Sequence, residues 1–165
     1  MYGKSKTNGI TTVLNKFDRK KREFQMKKML LALALCAAAG SQAALAGKPA
    51  IVMHQDPNCG CCGGWAQHMR DNGFDVKVYK SSNMAAVKAQ HGVPMALASC
   101  HTARLEGTGQ LIEGHVPANA VRKMLLDPSV KGVAAPGMPV NSPGMGPMDG
   151  NLITVDFEGR PFSRD

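Results

Sequence analysis

From Ala50 onward the hydrophobic period of the chain switches repeatedly between two and about 3.6 residues. Ala50 to His54 is a short apolar run that reads as a strand. From Cys62 to Asn72 the spacing becomes helical. Trp65 and Met69 fall four apart on one face, Gln67, His68, Arg70 and Asp71 point outward, and Gly73 supplies the stop. Phe74 to Lys80 alternates Val76 and Val78 against Lys77 and Tyr79, a second strand. Ser82 or Asn83 caps a helix carrying Met84 and Val87, which ends near Gly92 with Pro94 beyond it. Thr102 to Leu105 and Gln110 to Glu113 flank Glu106-Gly107-Thr108-Gly109 and read as a hairpin. Pro117 suits the first turn of a third helix with Val121, Met124 and Leu125 inward, stopped by Asp127-Pro128. Between Ala134 and Gly150 the density of Pro and Gly denies regular structure, and Leu152 to Phe157 offers a last strand before a turn at Glu158-Gly159.

The resulting order, β-α-β-α-β-β-α, is that of an α/β, thioredoxin-like fold followed by a Pro/Gly/Met-rich C-terminal extension. The loop between the first strand and first helix holds Cys59-Gly60-Cys61-Cys62, where such a fold carries its redox cysteines. Pro94, before the third strand, stands where that fold usually keeps a cis-proline, so a cis bond is expected there.

Charge changes the picture upstream. Of the formal net charge of +8, residues 1–46 account for +7, from nine Lys/Arg against Asp18 and Glu23. Met26-Lys27-Lys28, the apolar run from Met29 to Ala39, and Ala44-Leu45-Ala46 before Gly47 form a secretory signal pattern. The run is shorter than the ~20 residues of a membrane span. Residues 1–25 are then either a mis-called start or an extended n-region. The expected division is 1–25, a signal peptide over 26–46, a thioredoxin-like metal-binding domain over 47–133, and an extension over 134–165 packing on the same domain. With the basic segment removed there is no reason to expect nucleic acid as a partner, nor a membrane. An exported monomer is expected.

The chemistry sits in the cysteines. Cys59, Cys61 and Cys62 occupy three of four positions at a predicted helix N-terminus, where free N–H groups and the helix dipole favour thiolates. One buried cysteine is ordinary packing, but three so close with an intervening Gly are not. Four cysteines at 59, 61, 62 and 100 are expected to be a poor disulfide framework, because near neighbours do not easily bridge. Thiolates suit soft metals, and Cu(I) accepts two or three of them with sulfurs shared between ions. Structural zinc, which commonly takes two separated ligand pairs, is the more remote alternative. Cys100-His101 opens the strand neighbouring the loop, although adjacent strand residues point to opposite faces. His115 reaches the cysteines only if the turn after the hairpin curls back. Met138 and Met145 offer thioethers, soft and uncharged; Met148 is more remote. Met53 and His54 border the loop, while His68 and His91 read as solvated helix residues. No Ser-His-Asp set, paired carboxylates or phosphate-binding Gly loop is present.

Pro57-x-Cys59-Gly60-Cys61-Cys62-x-x-Trp65, Gly92-Val93-Pro94, Leu97-Ala98-Ser99-Cys100-His101-Thr102, Glu113-Gly114-His115-Val116-Pro117 and Pro136-Gly137-Met138-Pro139 through Ser142-Pro143-Gly144-Met145 together resemble the CopG-type family. The resemblance spans nearly all of the chain after the signal. It implies a thioredoxin-like domain, export to the periplasm, and association with copper resistance. It marks Cys59, Cys61, Cys62 and Cys100 as metal or redox residues, followed by His101, His115, Met138 and Met145. The expected function is an exported Cu(I)-thiolate protein, polynuclear, that sequesters copper or interconverts its redox states. Its partners would be copper ions and other periplasmic copper-handling proteins. The alternative is a thiol–disulfide oxidoreductase using Cys59 and Cys62.

Overall fold

Strand β1 (Ala50–Gln55) lies between β2 (Asp75–Lys80), parallel to it, and β3 (His101–Leu105), antiparallel. The computed structural model describes residues 21–22, 25–26 and 47–165. The signal pattern beyond Met26 therefore lies outside the described residues. Strand β4 (Leu111–Glu113) pairs antiparallel with β3, β5 (Gly132–Ala134) runs parallel to β4, and β6 (Ile153–Asp156) and β7 (Pro161–Arg164) complete the seven-stranded sheet, order β2-β1-β3-β4-β5-β6-β7. Among residues 47–165 three α-helices accompany it: α1 (Gly60–Asp71), α2 (Met84–His91) and α3 (Ala118–Leu125). The first four strands and three helices make a thioredoxin-like α/β fold.

Strand alternation distributes the side chains. Ile51, Met53, Ala103, Leu105 and Ile112 are buried in one core with Trp65, Ala66 and Met69 of α1 and Val121 and Met124 of α3. The opposite face at the same end carries Thr102 and Glu113, covered by Lys88 of α2. The end of β1, the start of β3 and the end of β4 meet at one end of the sheet, since Gln55 pairs with His101 and Thr102 with Glu113. That end faces the N-terminus of α1.

Local chemistry explains the element ends. Asn83 caps α2, its side chain accepting from the Ala86 N–H at 3.0 Å, and Gly92 stops it with φ +68. Pro117 is the N-cap of α3 and not inside its first turn. Three features escaped the periodicity. Strand β5 is three residues long, too short to show a period. Strand β7 begins with Pro161, a residue tolerated at the start of an edge strand and otherwise read as a break. Val78 is 38% exposed because β2 is the sheet edge.

The cis-proline expectation is corrected. There is no cis peptide among the described residues. Pro94 instead caps the 3-10 turn Met95–Leu97, and the residue directly before β3 is Cys100. The position next to the cysteine loop is thus held by a sulfur.

His68 was expected to be solvated, yet it is half-buried and its Nε2 accepts the Ala118 N–H at 3.2 Å, a free donor at the start of α3. Burial lowers its pKa, and burial is the first cause for the lowered His91, His101 and His115 as well. A lowered folded pKa means the unfolded chain binds the proton more tightly. The stability from neutral imidazole is therefore complete above about pH 6.5 and is lost as pH falls through the folded values. Metal-free protein should show a lower urea midpoint at pH 5 than at pH 7.5. His68→Gln, which can accept the same N–H without titrating, should recover part of the loss. Equal midpoints at the two pH values would contradict this.

Candidate metal centre

Cys59 is the N-cap of α1, and Cys61 and Cys62 lie in its first turn. The loop before them is fixed by the Cys59 N–H to Asp56 O, 3.1 Å, and the Asn58 N–H to Asp56 Oδ1, 2.8 Å. Cys59 and Cys62 form a disulfide with Cα atoms 5.6 Å apart. This corrects the expectation of a poor disulfide framework. One helical turn brings residues three apart within bridging range, which sequence adjacency alone does not suggest. Cys61 and Cys100 are free and half-buried. Cys61 Sγ lies 3.6 Å from Cys59 Sγ, and all four sulfurs fall within 4.8 Å of one another.

Cys100 precedes β3 in a bend, so strand alternation does not separate it from His101. Its Sγ is 3.6 Å from His101 Nδ1. His115 also arrives, because the turn curls back. Gly114 has φ +72, its N–H reaches His101 O at 3.0 Å, and the Val116 N–H reaches Gly114 O at 2.9 Å. His115 Nδ1 lies 2.6 Å from Pro143 O, which can only accept, so this nitrogen carries the proton. In the neutral ring Nε2 is then an acceptor, and it sits 3.0 Å from Cys100 Sγ. Burial raises the Cys100 pKa, and the neighbouring Cys61 raises it further. Burial lowers that of His115. Both shifts favour a neutral thiol donating to a neutral imidazole. Cys62, Cys100, His101 and His115 make a second four-atom group within 4.8 Å.

His101 is fully buried, its pKa pushed well down by burial, then by His115 and Lys88. Its ring packs 4.4 Å from Trp65 and 5.0 Å, edge-on, from His115. Its Nε2 has no hydrogen-bond partner among the described residues. Trp65 Nε1 donates to Val116 O at 2.8 Å and so ties α1 to the His115 turn.

The Pro/Gly-rich stretch is a strap across this end of the sheet. Pro143 O holds His115, and Gly144 lies against the first turn of α1. A Cβ on Gly144 would fall 2.5 Å from Trp65 N and 2.9 Å from Cys61 O. Met145 is half-buried, while Met138 is 57% and Met148 40% exposed. His54 is elsewhere, stacked on Tyr79 at 5.6 Å and 6.2 Å from His91.

Comparison with known proteins places these residues in a lineage. The family described as "Protein of unknown function, DUF411" matches residues 97–145, the segment holding Cys100, His101, His115 and the strap. Two solved structures are similar, "Copper resistance protein copG", Form 1 and Form 2. Each is 38% identical, with a TM-score of 0.62, over 72% of this chain and 98% of the other. The chain belongs to the CopG-type copper-resistance family. A search of curated proteins gives no match.

Within this CopG-type chain, sequence reasoning assigned no role to Glu113, Ser99, Thr102 and Lys88. Glu113 is fully buried and bonded to the other three. The available signal was an acid closing the buried run Leu111-Ile112-Glu113, where an unpartnered charge would be costly. Among the described residues no helix is long and apolar enough to cross a membrane.

Proposed function

We propose that this is an exported copper-binding protein whose reduced cysteines hold Cu(I) in a polynuclear thiolate site, for sequestration or redox interconversion of copper in metal resistance. One observation carries the reading: the four cysteine sulfurs of the loop and of the β3 entry lie within 4.8 Å of one another. Sulfurs that close can bridge adjacent soft ions. His101 and His115 would supply nitrogen at the buried side, and Met145, half-buried in the strap, a thioether above. Met138, largely exposed, would join only if the strap tightens. Membership in a family with structures titled copper resistance protein supports the metal's identity. Metal analysis of anaerobically purified, reduced protein tests it, with copper expected in excess over zinc. Zinc at one ion per chain and no copper would contradict it.

Export rests on the pattern after Met26. N-terminal sequencing of periplasmic protein should find a start near Gly47, and recovery of intact Met1 or Met26 from the cytoplasm would oppose it.

The Cys59–Cys62 disulfide favours a second reading, a thiol–disulfide oxidoreductase, since a C-x-x-C pair at a helix N-terminus suits exchange. The two readings separate on turnover. A metal site with Cys61 beside Cys59 should exchange insulin or glutathione disulfides poorly, because Cys61 can intercept the mixed disulfide. Thioredoxin-like turnover, lost in Cys59→Ser and indifferent to copper, would favour the oxidoreductase.

The strap makes a further prediction. Replacing Met138 and Met145 together by Leu keeps apolar bulk and removes the sulfur, so copper retention should weaken while the melting transition holds. An unchanged copper off-rate would mean that these residues only pack.

A further inference from the structure

Glu113 sits at the end of β4 with none of its surface exposed, surrounded by donors. Its Oε1 accepts from Lys88 Nζ at 2.5 Å and from the Ser99 N–H at 2.6 Å, and its Oε2 accepts from Thr102 Oγ1 at 2.7 Å. Lys88 Nζ also donates to Thr102 Oγ1 at 3.0 Å, closing a ring on the α2 face of the sheet. Three of the four are tied to regular elements: Glu113 to β4, Thr102 to β3, Lys88 to α2. The fourth, Ser99, belongs to the bend that delivers Cys100.

Ser99 has a second attachment. Its Oγ donates to Gly137 O, in the strap, at 2.5 Å. The hydroxyl occupies space that only a glycine leaves. A Cβ on Gly114 would fall 2.5 Å from Ser99 Oγ, 2.7 Å from Ser99 Cβ and 2.9 Å from Ala135 O. Ser99 is therefore held from behind by a buried carboxylate through its backbone and reaches forward to the strap through its side chain. Cys100 follows it directly and has no regular element of its own.

We propose that Ser99, seated by Glu113, is a latch: it sets the position of Cys100 and closes residues 135–148 over the cysteine loop. Ser99 and Glu113 are positioning residues, acting through Cys100 and the strap. The strap's role as a cover over bound copper rests on the metal reading above. The latch itself does not, because both attachments are made between this chain's own residues, Ser99 N–H to Glu113 and Ser99 Oγ to Gly137 O.

The test is the reactivity of Cys100 in full-length, metal-free protein with the Cys59–Cys62 disulfide intact. Iodoacetamide labelling at Cys100 is followed by peptide mass mapping, which separates it from Cys61. Ser99→Ala deletes the hydroxyl's bond to Gly137 O and its 4.0 Å contact with Cys100 Sγ, and leaves the N–H to Glu113. Labelling of Cys100 should rise roughly fivefold to tenfold, the weight of one neutral hydrogen bond, with the unfolding midpoint little changed. Exchange of the Met145 and Gly146 amides, which donate to Ser142 O within the strap, should accelerate in step. Glu113→Gln should also raise labelling, with a lowered midpoint because the buried Lys88 loses its charged partner and keeps only Thr102 Oγ1. Copper dissociation from reduced Ser99→Ala should quicken by a similar factor. Unchanged labelling and amide exchange in Ser99→Ala would overturn the latch even if the parent binds copper. If the parent binds none, the metal reading fails and the labelling still decides the latch.

Discussion

Protein with Cys59 and Cys62 bridged should bind Cu(I) at least about a hundredfold more weakly than the same protein after reduction. Loss of an outer hydrogen-bond partner already costs a metal site ~10–100-fold, and the disulfide withdraws two of four sulfurs outright. What remains is Cys61 and Cys100, both half-buried, with Cys100 held toward its neutral thiol by burial and by Cys61. Reduction takes two electrons and two protons and returns two thiols at the N-terminus of α1, where free N–H groups favour their ionised form. In the reverse direction, the Cys59/Cys62 dithiol closing to a disulfide releases two electrons and two protons, enough to take two Cu(II) to two Cu(I). The measurement is competition against a chromophoric Cu(I) chelator, anaerobically, with oxidised and with reduced, desalted protein. Equal affinities would mean that the bridged pair contributes nothing to the site.

Gly144→Ala should have the other large effect. Gly144 has φ +83, which costs an L-residue ~1–2 kcal/mol. Its Cβ would meet Trp65 N at 2.5 Å, Gly64 C at 2.8 Å and Cys61 O at 2.9 Å, all backbone of the first turns of α1, which cannot swing aside. Overpacking of this kind adds ~1–3 kcal/mol, so a total of about 3 kcal/mol is expected unless the strap lifts away. Lifting would break the Pro143 carbonyl contact with His115 and expose the cysteines, so faster copper loss should accompany the fall in stability. Gly137→Ala is the control. It also has positive φ, +71, but its Cβ meets nothing within 4 Å, and only the conformational cost of ~1–2 kcal/mol applies. Denaturant melts and copper off-rates of the two variants should diverge. Matching behaviour would remove the helix–strap contact from the account.

The order of the first seven elements was legible because six of them span enough residues to display a period, and the three-residue β4 is marked by the turn Glu106-Gly107-Thr108-Gly109 before it. Trp65 and Met69 mark α1, and Asn83 and Gly92 mark the ends of α2 by their chemistry. The cysteine loop was legible because three sulfurs at a strand–helix junction have few ordinary explanations. What was hidden depends on contacts between distant residues. His115 reaches Cys100 only through the left-handed turn at Gly114, and a lone Gly does not announce its φ. His68 turned inward to accept an N–H of α3, fifty residues away. Glu113 read as the polar end of a hairpin, while its partners Lys88, Ser99 and Thr102 come from three separate segments. The strap showed what it could not form, regular structure, and left open what it touches.

Four closely spaced thiolates repel one another strongly without cations between them. One Cu(I) offsets one charge, whereas several bridged ions offset more and give each two or three soft ligands. The direct measurement is anaerobic titration of the fully reduced protein with Cu(I) in the presence of a competing chelator, with bound ions counted by native mass spectrometry. The account predicts more than one copper per chain at saturation, and fewer ions in Cys100→Ser, not merely weaker binding of the same number. A single copper per chain in the parent, at saturation and under reducing conditions, would contradict it.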